Sequence, residues 1–354
     1  IAGAGSTHTP GIIQSLIQKK DTLPLKKLIL FDIDEERLNR VKAVMTQFIK
    51  DNYDKELEVI ATLDYAEAFT GEDFVFAQIR QGGLEMRRHD EKIPLKYGVI
   101  GQETCGPGGS ISYGIRSIPG VIKIIEEAKK YSPDCWILNY SNPAAVVAEA
   151  TRRNNERILN ICDMPVAILL SYSKMLGLSD WTELDPEYFG LNHFGWFTAL
   201  YDQTGKDRLP ELREKIISTG MEACSDRHHK DKDWQKTWKK YAEIVKDYPE
   251  YLPNSYLQYY LYSSDVVKKM DLTHTRADMV IEGREKYNKF LADPNNYKSP
   301  VQEFTVFGDF IVDAAASIAY NKGYRYLVIV ENNGAIPNLP ADAMVEVPAY
   351  LRSW

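Results

Sequence analysis

The stretch Ile1-Ala2-Gly3-Ala4-Gly5-Ser6-Thr7-His8-Thr9-Pro10 decides the fold of this chain. Two apolar residues lead into a glycine turn, and Pro10 stands at the start of a predicted helix, where its missing N–H costs nothing. A G-x-G turn between a strand and a helix lets the backbone approach a pyrophosphate, which the free N–H groups of the helix N-terminus can bind. The stretch therefore predicts a nucleotide site formed by Gly3, Gly5, Ser6 and Thr7.

Asp32 supports this interpretation. It follows the apolar run Lys27 to Phe31, which predicts a second strand. An acid at the end of that strand can accept hydrogen bonds from the adenosine ribose and would repel the 2′-phosphate of NADP, so NAD is favoured. The third glycine of the usual fingerprint is absent, and an ordinary strand-to-helix turn is the alternative.

Strands and helices alternate along the first half of the chain. Near-continuous apolar strands separated by helical stretches indicate a parallel sheet covered on both faces. The strands are predicted at Glu58 to Ala61, Phe74 to Ala77 and Cys135 to Asn139, and the helices at Pro10 to Ile17, Glu35 to Lys50 and Pro119 to Lys130.

The second half is less regular. Polar helical stretches run from Leu212 to Lys246, and a strand is predicted at Tyr326 to Val330. The sequence therefore predicts an α/β protein with a Rossmann-type doubly wound parallel sheet and a second, mixed α+β domain. We place the domains at residues 1–165 and 166–354, and we expect residues to be missing at both ends of the sequence.

Composition excludes several classes of protein. The formal net charge of −7 argues against a nucleic-acid-binding protein, which usually carries an excess of basic residues. No apolar run is long enough to span a membrane. The cysteines show no C-x-x-C pair, which is typical of a reducing cytoplasm; they are Cys105, Cys135, Cys162 and Cys224. The charged segment around His228 and His229 is interpreted as a solvated surface.

Four later motifs occur in a distinctive order. They are Gln102-Glu103-Thr104-Cys105-Gly106-Pro107-Gly108-Gly109, Asn139-Tyr140-Ser141-Asn142-Pro143, Cys162-Asp163-Met164-Pro165 and Gly190-Leu191-Asn192-His193-Phe194-Gly195-Trp196. Together with the opening glycine turn, they resemble the family-4 glycoside hydrolases, an NAD-dependent exception to two-carboxylate glycoside hydrolysis. The resemblance extends from the first residue to Val347, and Cys-Asp-Met-Pro is characteristic of members that act on 6-phospho-α-glucosides.

The resemblance implies a fold like that of lactate and malate dehydrogenases, and a cytoplasmic homodimer or homotetramer. It also implies NAD and a divalent metal, usually Mn²⁺, as cofactors, and a phosphorylated disaccharide such as maltose 6′-phosphate as substrate. In the family's mechanism the sugar is transiently oxidised at C3, loses its C2 proton and eliminates the C1 leaving group. Water then adds and the hydride returns, so NAD⁺ ends unchanged.

Site residues follow from the same resemblance. Cys162 and His193 match the family's two metal ligands, and Asp163 matches the acid that protonates the leaving oxygen. Tyr256 matches the base for the C2 proton, although Tyr259 or Tyr260 could take its place in the alignment. Taken singly, a cysteine or a histidine is more often part of a core, and an aspartate before Pro165 is more often a helix cap or a turn residue.

The remaining matches concern the substrate. Glu103 matches a carboxylate thought to raise the basicity of the tyrosine. Arg87 and Arg276 match substrate-binding arginines, with Arg88 as the alternative to Arg87, and Asn142 matches a polar contact to the sugar. A guanidinium fork suits phosphate where orientation matters, although most arginines are surface charges.

Two other functions remain open at this stage. A 2-hydroxy-acid dehydrogenase could use the same fold, but it would need a His–Asp relay and would not need Cys162. A non-catalytic NAD-binding sensor is the second alternative, and the presence of the acid, the base and both ligands argues against it. These motifs do not identify the natural aglycone or the divalent metal.

Overall fold

A computed structural model describes residues 1–153, 157–223, 230–298 and 306–353. The chain forms two compact units. The first consists of Ile1–Ile161, Met270–Gly323 and Arg352–Trp354, and the second of Cys162–Lys269 and Tyr324–Leu351. These compact units are not the same as the two predicted domains, and the domain boundary at residue 165 stays a prediction.

The helices carry labels in chain order. In the first unit they are α1 (Thr9–Gln18), α2 (Glu35–Asn52), α3 (Tyr65–Phe69), α4 (Gly83–Lys96), α5 (Tyr113–Tyr131), α6 (Ala144–Thr151), α12 (Arg276–Leu291) and α13 (Val306–Ala319). In the second unit they are α7 (Met164–Leu176), α8 (Leu209–Thr219), α9 (Lys232–Asp247), α10 (Gln258–Leu261) and α11 (Ser263–Lys269). No described helix is long and apolar enough to cross a membrane.

Five strands and one bridging residue build the sheet of the first unit. The strands are β1 (Lys27–Phe31), β2 (Glu58–Thr62), β3 (Phe74–Ala77), β4 (Trp136–Asn139) and β5 (Ile158–Asn160). All of their pairings are parallel, and Ala2 bridges Phe31 on one side and Ala77 on the other. When Ala2 counts as the first strand, the order across the sheet is 3-2-1-4-5-6, which is that of a doubly wound Rossmann sheet.

Local chemistry explains why these elements begin where they do. The Asp34 carboxylate accepts from the Arg37 backbone N at 3.0 Å and caps α2, whose first turn carries Glu35 and Glu36. An N-cap oxygen satisfies one of the free N–H groups, and acids favour the positive end of the helix dipole. The apolar residues of β1 pack with α3 and α5 in one core, which includes Ile29, Phe69 and Ile125.

Helix α5 differs from its predicted extent. It begins at Tyr113, after a π-helical turn at Pro107–Ser112, rather than at Pro119. Pro119 lies inside the helix on an exposed position, where water can satisfy the carbonyl that proline leaves without a donor. The predicted start at Pro119 is therefore wrong by six residues.

The second unit is built on antiparallel strands. These are β6 (Leu184–Leu191), β7 (Phe194–Asp202) and β8 (Leu252–Pro253) in one sheet, and the pair β9 (Tyr324–Glu331) and β10 (Met344–Leu351). Leu191 pairs with Phe194, so only Asn192 and His193 connect β6 to β7. The aromatic residues Tyr172, Phe197, Trp238 and Tyr241 lie in the core of this unit.

Candidate active site

The glycine turn at the carboxyl edge of the first sheet needs glycine at both positions. Gly3 has a φ of +85°, and a Cβ there would lie 2.9 Å from the Gln78 carbonyl oxygen. A Cβ on Gly5 would lie 2.7 Å from the Arg37 Cβ. The backbone between Ala2 and α1 can therefore adopt this tight path only without side chains at these two positions.

Asp32 supports this turn from the end of β1. Its buried carboxylate accepts from the Gly5 backbone N at 2.7 Å, the Asp34 backbone N at 3.1 Å and Arg37 Nη2 at 2.9 Å. A carboxylate has about four acceptor positions, so one remains open beside these described donors. The carboxylate can thus hold the loop and still accept a ribose hydroxyl.

A polar atom beside the turn also fits a nucleotide. The Gln78 side-chain N donates to Thr9 Oγ1 at 2.8 Å, while its buried Oε1 has no partner among the described residues. Ser6 Oγ accepts from the His8 backbone N at 3.2 Å and shapes the turn. The turn, the acid and the orphaned acceptor together fit a dinucleotide.

In the second unit, the hairpin connection brings His193 to Cys162. Cys162 Sγ lies 3.5 Å from His193 Nε2, and both side chains are buried. His193 has a φ of +67°, a conformation that residues other than glycine adopt rarely and that tends to mark functional sites. This strain is the local cost of turning β6 into β7 over two residues.

The donor set fits a divalent ion in an open site. Among the described residues, no group of three or more His, Cys, Asp or Glu side chains is placed to hold an ion. A thiolate and an imidazole suit borderline divalent metals, and a pair of protein ligands leaves positions for substrate oxygens. The segment with His228 and His229 lies outside the described residues.

The thiol of Cys162 is protonated when no cation is beside it. Burial raises its pKa well above the usual value, and the nearby carboxylates Glu346 and Asp163 raise it further. A metal ligand must be the thiolate, so binding of a cation at this position would release a proton.

Asp163 occupies the N-cap position of α7 without acting as a side-chain cap. Its backbone oxygen accepts from the Ala167 N at 2.9 Å, but its carboxylate makes no capping hydrogen bond. Asp163 therefore stands at the N-cap position, as the structural alternative predicts, but its side chain forms no capping hydrogen bond.

Tyr256 lies against the same histidine. Its ring stacks on His193 with centroids 3.9 Å apart and planes 4° from parallel. Tyr259 contacts Tyr256 rather than the histidine, with a centroid distance of 5.7 Å, and Tyr260 packs edge-on against Phe194. Of the three tyrosines that the sequence left open, Tyr256 is the one stacked on His193.

Glu103 lies in the first unit, within a cluster of arginines. It forms ion pairs with Arg80 and with Arg87, whose Nη1 is 2.9 Å away. Burial alone would raise the pKa of Glu103, but the two guanidinium groups outweigh it and hold the pKa far below its usual range. The carboxylate is therefore charged at neutral pH.

The predicted substrate residues have different surroundings. Arg87 is buried and also pairs with Glu91 at 2.8 Å, whereas Arg88 pairs with Glu85 and Asp278 nearer the surface. Arg276 is the first residue of α12, beside Ala277, whose backbone N donates to Glu91 Oε2 at 2.7 Å. Asn142 follows β4 in the loop before α6.

Sequence reasoning missed two members of this cluster, Arg80 and Arg284. Arg80 follows β3 at the carboxyl edge of the sheet, and its Nη1 is buried without a hydrogen-bond partner among the described residues. Burial lowers the pKa of Arg284 to about 10, assisted by Arg80 and Arg87 and opposed by Glu103. The only signal for Arg80 was its position after a strand, and Arg284 had none.

It also missed Glu346, a single acid in the apolar run Val345-Glu346-Val347 of β10. Burial raises the pKa of Glu346 to about 7, against hydrogen bonds from Asn192 and Tyr188. A charged residue inside an otherwise apolar strand is the signal that could have found it.

The comparisons with known proteins agree with the sequence motifs. The profile "Family 4 glycosyl hydrolase" matches residues 1–178, and its C-terminal domain profile matches residues 188–354. The chain is 49% identical to maltose-6′-phosphate glucosidase of Bacillus subtilis (strain 168) over 359 aligned positions, covering 100% of this chain and 80% of that protein.

Two solved structures are similar over nearly the whole chain. A 6-phospho-α-glucosidase from gut microorganisms in complex with NAD and Mn²⁺ has a TM-score of 0.94 at 44% identity, covering 99% of this chain and 81% of its own. Another, in complex with NAD and glucose 6-phosphate, has a TM-score of 0.91 at 42% identity with the same coverages. The resemblance drawn from the motifs is thereby confirmed, and the chain belongs to the family 4 glycosyl hydrolases.

Proposed function

We propose that this chain hydrolyses 6-phospho-α-glucosides such as maltose 6′-phosphate and requires NAD⁺ and a divalent metal. The observation that carries the proposal is the Cys162–His193 pair, with Tyr256 stacked on its histidine, in a chain of family 4. The activity named for the Bacillus subtilis relative supports the α-linked, phosphorylated substrate. The residue roles below are part of the proposal.

Two sets of residues would hold the cofactors. Gly3, Gly5, Ser6, Thr7 and Asp32 would hold NAD⁺ at the carboxyl edge of the parallel sheet. The metal would be held by Cys162 and His193. When bound, NAD⁺ supplies a reversible hydride acceptor, and the metal, Mn²⁺ or another divalent ion, supplies a Lewis acid.

Tyr256 acts as the base in the proposed reaction. A ketone at C3 acidifies the C2 proton, and the tyrosine oxygen accepts that proton. A free phenol has a pKa of about 10, so the tyrosine must be made more acidic to serve as a phenolate near neutral pH. The ring is held for this role by its stacking on His193 and by the turn that begins at Asn254.

Asp163 acts as the acid. Elimination across C1 and C2 leaves negative charge on the departing oxygen, and a proton from a positioned carboxylic acid prevents that charge from building up. The Asp163 carboxylate follows the proposed ligand Cys162 directly and does not cap α7. Cys162 and Asp163 are adjacent in sequence, so a ligand and the acid share one turn of backbone.

The phosphate group binds the arginine cluster of the first unit. Arg80, Arg87 and Arg284 bring three guanidinium groups to two carboxylates, Glu91 and Glu103, which leaves one positive charge in excess. Because Arg87 is already paired with both acids, Arg284 and the orphaned Nη1 of Arg80 are the better anion donors. Arg276 and Asn142 would contact the phosphate and the sugar respectively.

Several coarser features accompany this proposal. Sugars phosphorylated during uptake are found in the bacterial cytoplasm, so we place the reaction there. We also propose that the protein is a homodimer or homotetramer, and that residues 1–165 and 166–354 are its domains.

The first test is an assay with maltose 6′-phosphate. We expect glucose and glucose 6-phosphate to form in equal amounts, with no net NADH, because the hydride returns to the sugar. Omitting NAD⁺ or Mn²⁺ should abolish the reaction, and cellobiose 6′-phosphate serves as the β-linked control. NADH accumulating without glucose would instead indicate a dehydrogenase, and no turnover of any phosphorylated glucoside would favour a sensor.

Replacing the thiol tests the metal site. Cys162→Ser should weaken Mn²⁺ binding by at least tenfold, because a neutral hydroxyl is a much poorer ligand than a thiolate. The dissociation constant is measured by electron paramagnetic resonance of free Mn²⁺ with NAD⁺ present and no substrate. Cys135→Ser is the matched control, since Cys135 is also buried but is not one of the proposed ligands. Equal Mn²⁺ affinities in both variants would rule out the ligand assignment.

The base is tested by hydrogen exchange. Tyr256→Phe should slow exchange of the C2 proton with D₂O by about 100-fold or more, the usual contribution of a general base. Nuclear magnetic resonance of glucose 6-phosphate incubated with the enzyme, NAD⁺ and Mn²⁺ reports the exchange. Tyr259→Phe is the control and should exchange at the wild-type rate. Undiminished exchange in Tyr256→Phe would show that another group is the base.

The arginine cluster is tested by removing its excess charge. Arg284→Gln should raise KM for maltose 6′-phosphate by roughly 10- to 100-fold, since a hydrogen bond to a charged group is worth about 1.5–3 kcal/mol. Steady-state kinetics provides the measurement, and Arg213→Gln in the second unit should leave KM unchanged. If both variants have the wild-type KM, the phosphate binds elsewhere.

A further inference from the structure

Glu346 is a buried acid in the second unit to which the proposed reaction gives no role. Its side chain is inaccessible to solvent, in the middle of β10. Glu346 Oε1 accepts from Asn192 Nδ2 at 2.9 Å, and Oε2 accepts from the Tyr188 hydroxyl at 3.1 Å. Burying a carboxylate that has only neutral hydrogen-bond donors costs free energy, so we ask what its two contacts do.

The first contact leads to the proposed metal ligands. Asn192 precedes His193 in the two-residue connection between β6 and β7. The Asn192 amide therefore ties the Glu346 carboxylate to the backbone directly beside His193, whose Nε2 lies 3.5 Å from Cys162 Sγ.

The second contact leads to the proposed base. The Tyr188 hydroxyl, which donates to Glu346, accepts from Asn254 Nδ2 at 3.1 Å. Asn254 Oδ1 in turn accepts from the Tyr256 backbone N at 3.0 Å and begins the turn that carries this tyrosine. Asn254 is fully buried, so these bonds do not compete with water.

We infer that Glu346 is the positioning residue that holds the Cys162–His193 pair and Tyr256 in one geometry. It acts through Asn192 on the ligands and through Tyr188 and Asn254 on the base. The inference rests on the proposed function, because it takes the pair to be the metal site. Outer hydrogen-bond partners of this kind orient ligands, and their loss typically costs 10- to 100-fold in metal affinity.

The isostere Glu346→Gln separates positioning from filling space. Glutamine has the same volume, but it replaces one acceptor oxygen by an NH₂ group. The glutamine oxygen can still accept from Asn192 and its NH₂ group can donate to the Tyr188 hydroxyl, but the hydrogen of Tyr188 then loses its acceptor and the bond from Asn192 loses its charged partner. Glu346→Gln therefore weakens both the connection to the ligands and the support of the Tyr256 turn.

The test measures Mn²⁺ affinity with NAD⁺ and without substrate, so that it does not depend on turnover. We expect Glu346→Gln to raise the Mn²⁺ dissociation constant by roughly 10- to 100-fold. Tyr241→Phe is the matched control, since it breaks a buried hydrogen bond with Tyr172 in the same core. The control should lower the melting temperature and leave Mn²⁺ affinity unchanged, whereas a loss of affinity in both would indicate general destabilisation and overturn the inference.

Two further variants separate the contacts. Asn192→Ala removes only the link to the ligands and should weaken Mn²⁺ binding. Tyr188→Phe removes only the link to the turn, so it should leave Mn²⁺ affinity near that of the wild type and slow C2 exchange in D₂O. These two variants also decide the question if Glu346→Gln does not fold.

The outcomes distinguish this inference from the function on which it rests. If Cys162→Ser loses Mn²⁺ while the Glu346, Asn192 and Tyr188 variants bind it and exchange the C2 proton like the wild type, the positioning role is refuted and the metal site stands. If Cys162→Ser binds Mn²⁺ unchanged, the metal assignment itself is wrong.

Discussion

The parallel bridges of Ala2 to Phe31 and Ala77 are the interaction on which the first unit depends. They join the β1–β2 pair to the β3–β4–β5 ladder, and the change of winding direction falls at this point. In doubly wound sheets, ligands bind outside the carboxyl ends of the strands at such a point. Gly3 and Gly5 follow the bridge closely, so the same backbone interaction joins the two parts of the sheet and places the glycine turn.

The second unit depends on a comparable backbone constraint. Because Leu191 pairs with Phe194, the hairpin leaves two residues to reverse the chain, and His193 takes a left-handed conformation. The strain is stored in the residue that lies 3.5 Å from Cys162 Sγ. A histidine held in this way has little freedom to leave its partner, and such rigidity would suit the open metal site that we propose for this pair.

Buried carboxylates have different partners in the two units. In the first, Glu103 lies between Arg80 and Arg87, and the excess of guanidinium groups leaves the cluster positive and suited to an anion. In the second, Glu346 is held by Asn192 and Tyr188, both neutral donors. By our proposals, buried charge serves anion binding in the first unit and alignment of the ligands and the base in the second.

The sequence alone determined the features that depend on residues close together in the chain. The glycine turn, Asp32 and the apolar strands of the first half obey short-range rules of backbone freedom and periodicity, and the motifs around Cys162 and His193 identified the family. Even there, Pro119 misled the prediction of α5, since a proline on an exposed helix face can be tolerated.

Tertiary structure decided what depends on distant segments. In the structure, Met270–Gly323 belongs to the first unit although it follows most of the second unit in sequence. This places Arg284 near Arg80 and Arg87, which are about 200 residues earlier in the chain. The structure also places Glu346 beside Asn192 and Tyr188. No local sequence pattern predicts these contacts. They arise when segments that are distant in sequence pair as strands or pack as helices, and each segment's own pattern specifies only its local structure.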